Sequence, residues 1–186
     1  MAIHRLNHAV LYVRDVARSV AFYRDVLGFQ PIGEMAELKG AAFLRAPAST
    51  NDHDLGLFEI GESAAESGAG RSSVGLYHLA WEVDTLRDLD TLAVRLAEAG
   101  ALVGSSDHSS TKSLYAKDPD GLEFEVAWIV PAAFIDDAVL AGRTSIRPLD
   151  LRREIERYGA DTPGGIGVSR PDAAVSQAAS GSTNLP

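Results

Sequence analysis

Hydrophobic and polar positions follow the same order in two halves of the chain. Residues 4–13 and 76–83 are short strand-like runs, and each is followed by a segment whose apolar residues recur at helical spacing. The apolar helical positions are Val16, Val20, Tyr23 and Leu27 in the first half, and Leu86, Leu89, Ala93 and Leu96 in the second. Three strand candidates follow each helix, near 29–35, 41–46 and 54–60, and near 102–106, 112–117 and 122–129. The pattern predicts an α+β fold in which a βαβββ unit is used twice.

The ends of the two predicted helices carry residues suited to those places. Asp15 and Asp84 stand at the starts, where a carboxylate can accept hydrogen bonds from the free N–H groups of the first turn. Gly28 and Gly100 stand at the ends, where glycine adopts the left-handed conformation without a steric penalty. We therefore expect helices that begin at these Asp residues and stop at these glycines.

The repeat places chemically useful side chains at matching points. His8 and His78 lie in the two strand-like runs, and the pairs Phe58-Glu59 and Phe124-Glu125 also match. A single histidine in an apolar strand is commonly only a packed or surface residue. Two imidazoles and one carboxylate on strands, however, can bind a divalent metal and leave other coordination positions open, as in non-haem iron enzymes. The duplicated unit thus predicts one central cavity between the halves.

Composition narrows the classes of protein that fit. The chain has 186 residues, is 46% hydrophobic and contains no cysteine, which excludes disulfides, thiolate metal sites and a cysteine nucleophile. Its net charge of −9 argues against binding nucleic acid. No run approaches the roughly 20 apolar residues of a membrane span. The first residues lack the apolar stretch of a signal peptide, so we expect a cytoplasmic protein.

The organisation along the chain follows from these patterns. We expect a first module at 1–62, a linker of small and polar residues at 63–75, a second module at 76–131, a helical extension at 132–160 and a disordered tail at 161–186. The extension, whose helical pattern is clearest at 150–159, could cover the core, close over the cavity or form a dimer contact, and we favour a docking helix. Open sheet edges favour a homo-oligomer, a dimer or higher.

Residues 4–130 resemble the vicinal-oxygen-chelate superfamily. The turn at 117–121, Lys-Asp-Pro-Asp-Gly, followed four residues later by Glu125, resembles the last hairpin of that superfamily. The resemblance implies two βαβββ modules that form an open barrel around a metal cavity. The superfamily includes extradiol catechol dioxygenases, glyoxalase I, epimerases and antibiotic-resistance proteins, so the fold alone does not decide the reaction.

Three further residues resemble those of the one-domain type I extradiol dioxygenases. The run 52–58 is similar to the strand that carries the acid/base histidine, here His53. The run 106–115 is similar to the segment that supplies an active-site histidine and tyrosine, here His108 and Tyr115. The resemblance implies an Fe(II) enzyme of aromatic compound catabolism, with Mn(II) as the other suitable metal, that cleaves a catechol-type diol with O₂. Its metal ligands would be His8, His78 and Glu125, and His108 and Tyr115 would hydrogen-bond the substrate oxygens.

Two other functions fit the same residues. A glyoxalase-I-like isomerase would hold Ni(II) or Zn(II) with His8, Glu59, His78 and Glu125. On an extended strand His53 and Glu59 are roughly 20 Å apart, so they compete as members of one site. The third possibility is a metal-free protein that binds an aromatic ligand or an antibiotic. Strand alternation also predicts that Glu123 shares a face with Glu125 unless a bulge intervenes.

Overall fold

The computed structural model describes residues 3, 5–33, 38–70 and 72–165. Within them the chain forms β1 Ala9–Val13, α1 Val16–Asp25, β2 Gln30–Pro31, β3 Ala41–Arg45, β4 Leu55–Glu59, β5 Leu79–Glu82, α2 Leu86–Glu98, β6 Leu102–Asp107, β7 Thr111–Lys117, β8 Glu123–Ile129, a 3₁₀ helix Ala132–Phe134, α3 Asp137–Gly142 and α4 Leu151–Tyr158. This order confirms the α+β class and the repeated βαβββ unit. None of the described helices is long and apolar enough to cross a membrane.

The two βαβββ units form two sheets with the same topology. The strand order is β1-β4-β3-β2 in one sheet and β5-β8-β7-β6 in the other. In each, the first strand lies parallel to the last, β1 beside β4 and β5 beside β8. The hairpin pairs β2–β3, β3–β4 and β6–β7 are antiparallel. Parallel pairing requires a crossover connection, and α1 and α2 are part of the chain that connects those parallel strands.

The chain divides into two compact units. The first contains the described residues up to Tyr77 together with Lys117–Leu122, and the second contains His78–Ala116 and the described residues from Glu123 onward. The first βαβββ module therefore lies in the first unit. The second module lies in the second unit, apart from residues 76–77 and Lys117–Leu122, which include the last residue of β7.

The core of the first unit is built where one face of its sheet meets α1. Leu11, Val13, Leu44, Leu55 and Leu57 are buried in it. The helix begins as predicted, because the Asp15 side chain accepts a hydrogen bond from the backbone N–H of Arg18. Gly28 has a φ of 80° in the turn beyond the helix, where only glycine adopts that conformation freely. The opposite face of the sheet exposes Val10, Tyr12 and Phe58.

The second unit has an equivalent core and one different helix start. Leu86, Leu89 and Leu96 of α2 are fully buried, as the helical spacing predicts. The predicted cap Asp84 is wrong by one residue. The helix is capped instead by Thr85, whose hydroxyl accepts from the backbone N–H of Asp88. A threonine hydroxyl can accept the same hydrogen bond as a carboxylate at this position.

The C-terminal extension packs against the second unit. Helix α4 contacts α2, and the Tyr158 ring lies 5.4 Å from that of Trp128 between ring centres. This placement agrees with the docking helix favoured above. The disordered tail predicted from 161 is wrong at its start, because residues 161–165 also pack. The Trp128 indole donates to the carbonyl of Thr162, and the N–H of Gly165 donates to the carbonyl of Ile129. The rest of that tail, 166–186, lies outside the described residues.

Candidate active site

One face of the second sheet carries Ser113, Tyr115 and Glu125. Leu114, Ala116, Phe124 and Val126 are buried. Successive strand residues point to opposite faces, so Ser113, Tyr115 and Glu125 share the other face. The β5–β8 register runs without a shift from Leu79 opposite Phe124 to Glu82 opposite Ala127. Along β8, the residues from Phe124 to Ala127 therefore pair with β5 without a bulge, and the shared face of Glu123 and Glu125 stays a prediction.

Glu125 and His78 are adjacent on this face. His78 Nε2 lies 3.1 Å from Glu125 Oε2, and both side chains are largely shielded from solvent. The other carboxylate oxygen, Oε1, accepts a short hydrogen bond from the hydroxyl of Ser113. Ser113 of β7 and His78, the residue before β5, therefore contact the carboxylate from two sides. Two of the three proposed metal ligands are brought together in this way.

His108 and Tyr115 form a second pair on the same face. His108 lies in the hairpin between β6 and β7, and its Nε2 is 2.9 Å from the Tyr115 hydroxyl and 2.7 Å from Ser106 Oγ. The hydroxyls of Ser106 and Tyr115 are also within hydrogen-bond distance, at 3.2 Å. The Tyr115 ring lies 6.0 Å from the His78 ring between centres. Tyr115 therefore connects the polar trio of Ser106, His108 and Tyr115 to the His78–Glu125 pair.

In the first unit, His8 and His53 pack against each other. They precede the parallel strands β1 and β4, and their ring centres are 4.5 Å apart. The His53 ring also meets Phe43 edge-on at 5.1 Å, on the sheet face opposite α1. His53 is largely buried by these contacts, whereas His8 is exposed. The structure thus places the proposed acid/base histidine beside a proposed metal ligand.

The tautomer of His8 suits metal binding through Nε2. Its Nδ1 lies 2.8 Å from Oδ1 of Asn7. An amide oxygen only accepts hydrogen bonds, so a hydrogen bond to Oδ1 requires the proton on Nδ1 and leaves the Nε2 lone pair of a neutral ring available to a metal. Metal-binding histidines are commonly oriented by such a contact on their other nitrogen. His53 is arranged in the same way, with Nδ1 3.0 Å from Oδ2 of Asp52.

The proposed metal ligands are divided between the units, with His8 in the first and His78 and Glu125 in the second. Within the part of the chain that the structure describes, neither unit by itself groups three or more His, Asp or Glu side chains in a way that could hold a metal. The set of His8, His78 and Glu125 therefore stays a prediction.

Glu59 is not the counterpart of Glu125. Val10 pairs with Gly56 in the first sheet, and Ala80 pairs with Glu125 in the second. With His8 matched to His78, Val10 matches Ala80, so the counterpart of Glu125 is Gly56. The match of Phe58-Glu59 with Phe124-Glu125 expected from the sequence is wrong, because two similar dipeptides stand at different registers.

Neither Glu59 nor Gly56 places a carboxylate at the point of the first sheet that corresponds to Glu125. Glu59 pairs with Val13 on the helix face, and its carboxylate accepts a hydrogen bond from the backbone N–H of Val16 at the start of α1. On the opposite face, a β-carbon added to Gly56 would meet Phe43 and Val10 at 3.4 Å. A β-carbon at Gly56 would thus be in van der Waals contact with both side chains.

Two functional candidates were absent from the sequence interpretation. Ser113 contacts Glu125, and Ser106 contacts both His108 and Tyr115. Strand alternation was the signal that could have found them, since Ser113 lies two residues before Tyr115 on one strand. Ser106 lies opposite Ser113 in the β6–β7 register.

Comparison with known proteins places this geometry in a family. A profile of the Glyoxalase/Bleomycin resistance protein/Dioxygenase superfamily matches residues 5–126. Catechol-2,3-dioxygenase of Bacillus subtilis is 32% identical over 124 residues, which are 65% of this chain and 40% of the relative. The chain thus spans about two fifths of the length of that relative.

Solved structures give the same fold. A glyoxylase/bleomycin resistance protein/dioxygenase domain from Frankia superposes with a TM-score of 0.56 at 24% identity, covering 68% of this chain and 92% of the other. Lactoylglutathione lyase from Agrobacterium tumefaciens gives a TM-score of 0.50 at 22% identity, with coverage of 68% and 95%. The resemblance noted in the sequence is confirmed: the chain belongs to the glyoxalase/bleomycin resistance protein/dioxygenase superfamily.

Proposed function

We propose that this protein is an extradiol ring-cleaving dioxygenase that acts on a catechol-type aromatic diol with a non-haem metal and O₂. The observation that carries the proposal is the single sheet face on which His108 and Tyr115, 2.9 Å apart, lie beside the His78–Glu125 pair. The relative named catechol-2,3-dioxygenase supports it. Because the chain covers only part of that relative, the reaction and its substrate are both part of the proposal.

The residues present fit a divalent metal. His78 Nε2 and Glu125 Oε2 are 3.1 Å apart, so both atoms could bind the same ion. His8, with its Nε2 lone pair available, would complete a set of two imidazoles and one carboxylate. That set is typical of non-haem Fe(II) and is also suitable for Mn(II). A bound Fe(II) would supply Lewis acidity toward the catechol oxygens and a route for electrons to O₂.

The remaining residues would act on the substrate directly. The Tyr115 hydroxyl and His108 Nε2 would hydrogen-bond the substrate oxygens, and Ser106 would keep the two groups aligned. His53 would move a proton through Nε2, since its Nδ1 is directed at Asp52. His53 and His8 are in ring contact, so the acid/base group would stand next to a metal ligand without being one.

The glyoxalase-like isomerase is less well supported. Its fourth ligand would be Glu59, whose carboxylate instead receives the N–H of Val16 on the helix face of the first sheet. The other alternative is a metal-free protein that binds an aromatic ligand or an antibiotic. The presence of the His78–Glu125 pair, which suits a metal, counts against it. A cytoplasmic location, a homo-oligomeric state and a place in aromatic compound catabolism remain parts of the proposal.

Anaerobic reconstitution with Fe(II), followed by exposure to a panel of catechols in air, tests the proposal. We expect a yellow ring-fission product from the parent. His53→Phe should keep its iron and catechol affinity but turn over about 10²–10⁴ times more slowly, because an acid/base group is lost while the ligands remain. Absence of ring cleavage by the iron-loaded parent, with turnover of a thiol-derived hemithioacetal instead, would favour the isomerase.

A further inference from the structure

The hairpin that carries His108 is held by the C-terminal extension. Asp107 and Arg147 exchange two backbone hydrogen bonds, of 2.8 and 3.0 Å, so a segment of the extension pairs with the end of β6. The Ser109 hydroxyl donates to the backbone carbonyl of Val139 in α3 at 2.8 Å. The match to the family ends at residue 126, so Val139 and Arg147 lie outside the part of the chain that the family shares.

A buried ion cluster joins the same hairpin to α4. Lys112 is only 1% exposed, and its ammonium lies 2.6 Å from Asp107 Oδ1 and 2.9 Å from Glu154 Oε2. Arg147 adds a cation 3.1 Å from the other oxygen of Asp107. A buried ammonium persists only when it is paired, and removing one partner leaves the other charge uncompensated. Lys112 of β7 is therefore in ion-pair contact with Glu154 of the extension as well as with Asp107 of its own hairpin.

The hairpin itself has a backbone conformation that needs outside support. Ser109 has a φ of 69°, in the left-handed region that residues other than glycine rarely adopt. Such conformations persist where surrounding contacts fix them, and they concentrate at functional sites. Here the N–H of Ser109 donates to Asp107 Oδ1 at 2.7 Å, and its hydroxyl is bound to Val139. Gly142 at the end of α3 packs so closely that a β-carbon there would stand 2.9 Å from Ser109 Cβ.

We propose that the C-terminal extension is a positioning element for His108, with Glu154 and Arg147 as its positioning residues. By fixing Asp107, Ser109 and Lys112, the extension keeps His108 Nε2 against Ser106 and Tyr115. His108 is in this way presented to substrate by a segment more than 30 residues further along the chain. The catalytic consequence rests on the proposed function, whereas the effect on His108 itself does not.

Two variants with matched controls test the inference. Glu154→Gln removes the anion that faces buried Lys112, and Glu156→Gln makes the same change at an exposed position of the same helix. Arg147→Ala removes a half-exposed cation while leaving the backbone pairing with Asp107, so the fold is expected to survive it. Arg147→Lys keeps the charge and should restore the parental behaviour.

The first readout is the ring nitrogen spectrum of ¹⁵N-histidine-labelled, metal-free protein, in which His108 is assigned from its loss in His108→Gln. We expect the His108 signals to shift or broaden in Glu154→Gln and Arg147→Ala, while those of His8 and His53 stay in place. In the iron-loaded protein kcat should fall by about 10-fold to 100-fold, with KM within about twofold of the parent. Glu156→Gln should match the parent in both measurements.

The outcomes separate this inference from the proposed function. Parental His108 signals in both Glu154→Gln and Arg147→Ala would overturn the positioning role even if the parent cleaves catechols. A parent that cleaves no catechol would overturn the proposed function, and the His108 signals would still decide the positioning role. A general loss of structure in Glu154→Gln leaves Arg147→Ala, with its lysine rescue, as the deciding variant.

Discussion

At the scale of single residues, the candidate site depends on how Glu125 is held. Its two carboxylate oxygens contact different partners, Ser113 on one side and His78 on the other. A ligand carboxylate that is already oriented loses less conformational freedom when a metal binds. We therefore expect Ser113 to affect metal affinity through Glu125, without binding the metal itself.

Replacing Ser113 by alanine tests this dependence. Groups that orient a metal ligand typically change metal affinity by about 10-fold to 100-fold when removed. We expect Ser113→Ala to weaken Fe(II) or Mn(II) binding by that amount in an anaerobic titration, with little change in unfolding temperature. Ser105→Ala, an exposed serine on β6, is the control and should bind like the parent. Equal affinities of Ser113→Ala and the parent would show that the hydroxyl does not orient Glu125.

At the scale of elements, the β6–β7 hairpin and α4 are joined through charges. Strand alternation alone assigns Lys112 to a face with Leu114 and Ala116, where a lysine is unexpected. Its partners Asp107 and Glu154 make the burial possible, and Glu154 comes from an element 42 residues further along the chain. No local pattern could have predicted this contact, because the charges stabilise each other only after α4 has docked.

The stability of this junction should depend on pH. Burial raises the pKa of Asp107. The hydrogen bonds from Lys112 and from the Ser109 N–H, together with the nearby cations, lower it by more than burial raises it, so the net pKa is below its ordinary value. A carboxylate whose pKa is lower in the folded state stabilises the fold above its unfolded pKa of about 3.9. That contribution is lost as the pH falls through the folded value.

Urea unfolding of the parent and of Asp107→Asn between pH 7 and pH 2.5 measures this contribution. We expect Asp107→Asn to be less stable than the parent at pH 7, and the difference to shrink below about pH 4 as Asp107 becomes protonated. Asp90→Asn, at an exposed position of α2, controls for the loss of one negative charge. A difference between Asp107→Asn and the parent that stays constant down to pH 2.5 would contradict the role of the ionised carboxylate.

At the scale of the whole molecule, the elements were predictable and their registers were not. The strands and helices follow from local periodicity and caps, so the repeated βαβββ order and the start of α1 at Asp15 agree with the sequence. The prediction that Glu59 and Glu125 occupy equivalent positions of the repeat was wrong, because strand register depends on which strands lie side by side. A Phe-Glu dipeptide reads the same at either register, although a single-residue shift reverses the face of every side chain. The docking of residues 161–165 was missed for a similar reason, since their partners lie on β8 and α2.

Metal binding should also be visible in the stability of the entire chain. A ligand that binds only the folded state raises the free energy of unfolding by RT ln(1 + [L]/Kd), about 2.7 kcal/mol at a hundredfold excess over Kd. We expect anaerobic Fe(II) to raise the unfolding temperature of the parent and of Glu59→Gln, because Glu59 contacts Val16 and lies outside the proposed ligand set. His8→Ala, His78→Ala and Glu125→Ala should each lose that rise while keeping metal-free unfolding temperatures near the parental value. If instead Glu59→Gln loses the rise and His8→Ala keeps it, the ligands are different residues, and the three-ligand site with its dioxygenase chemistry is excluded.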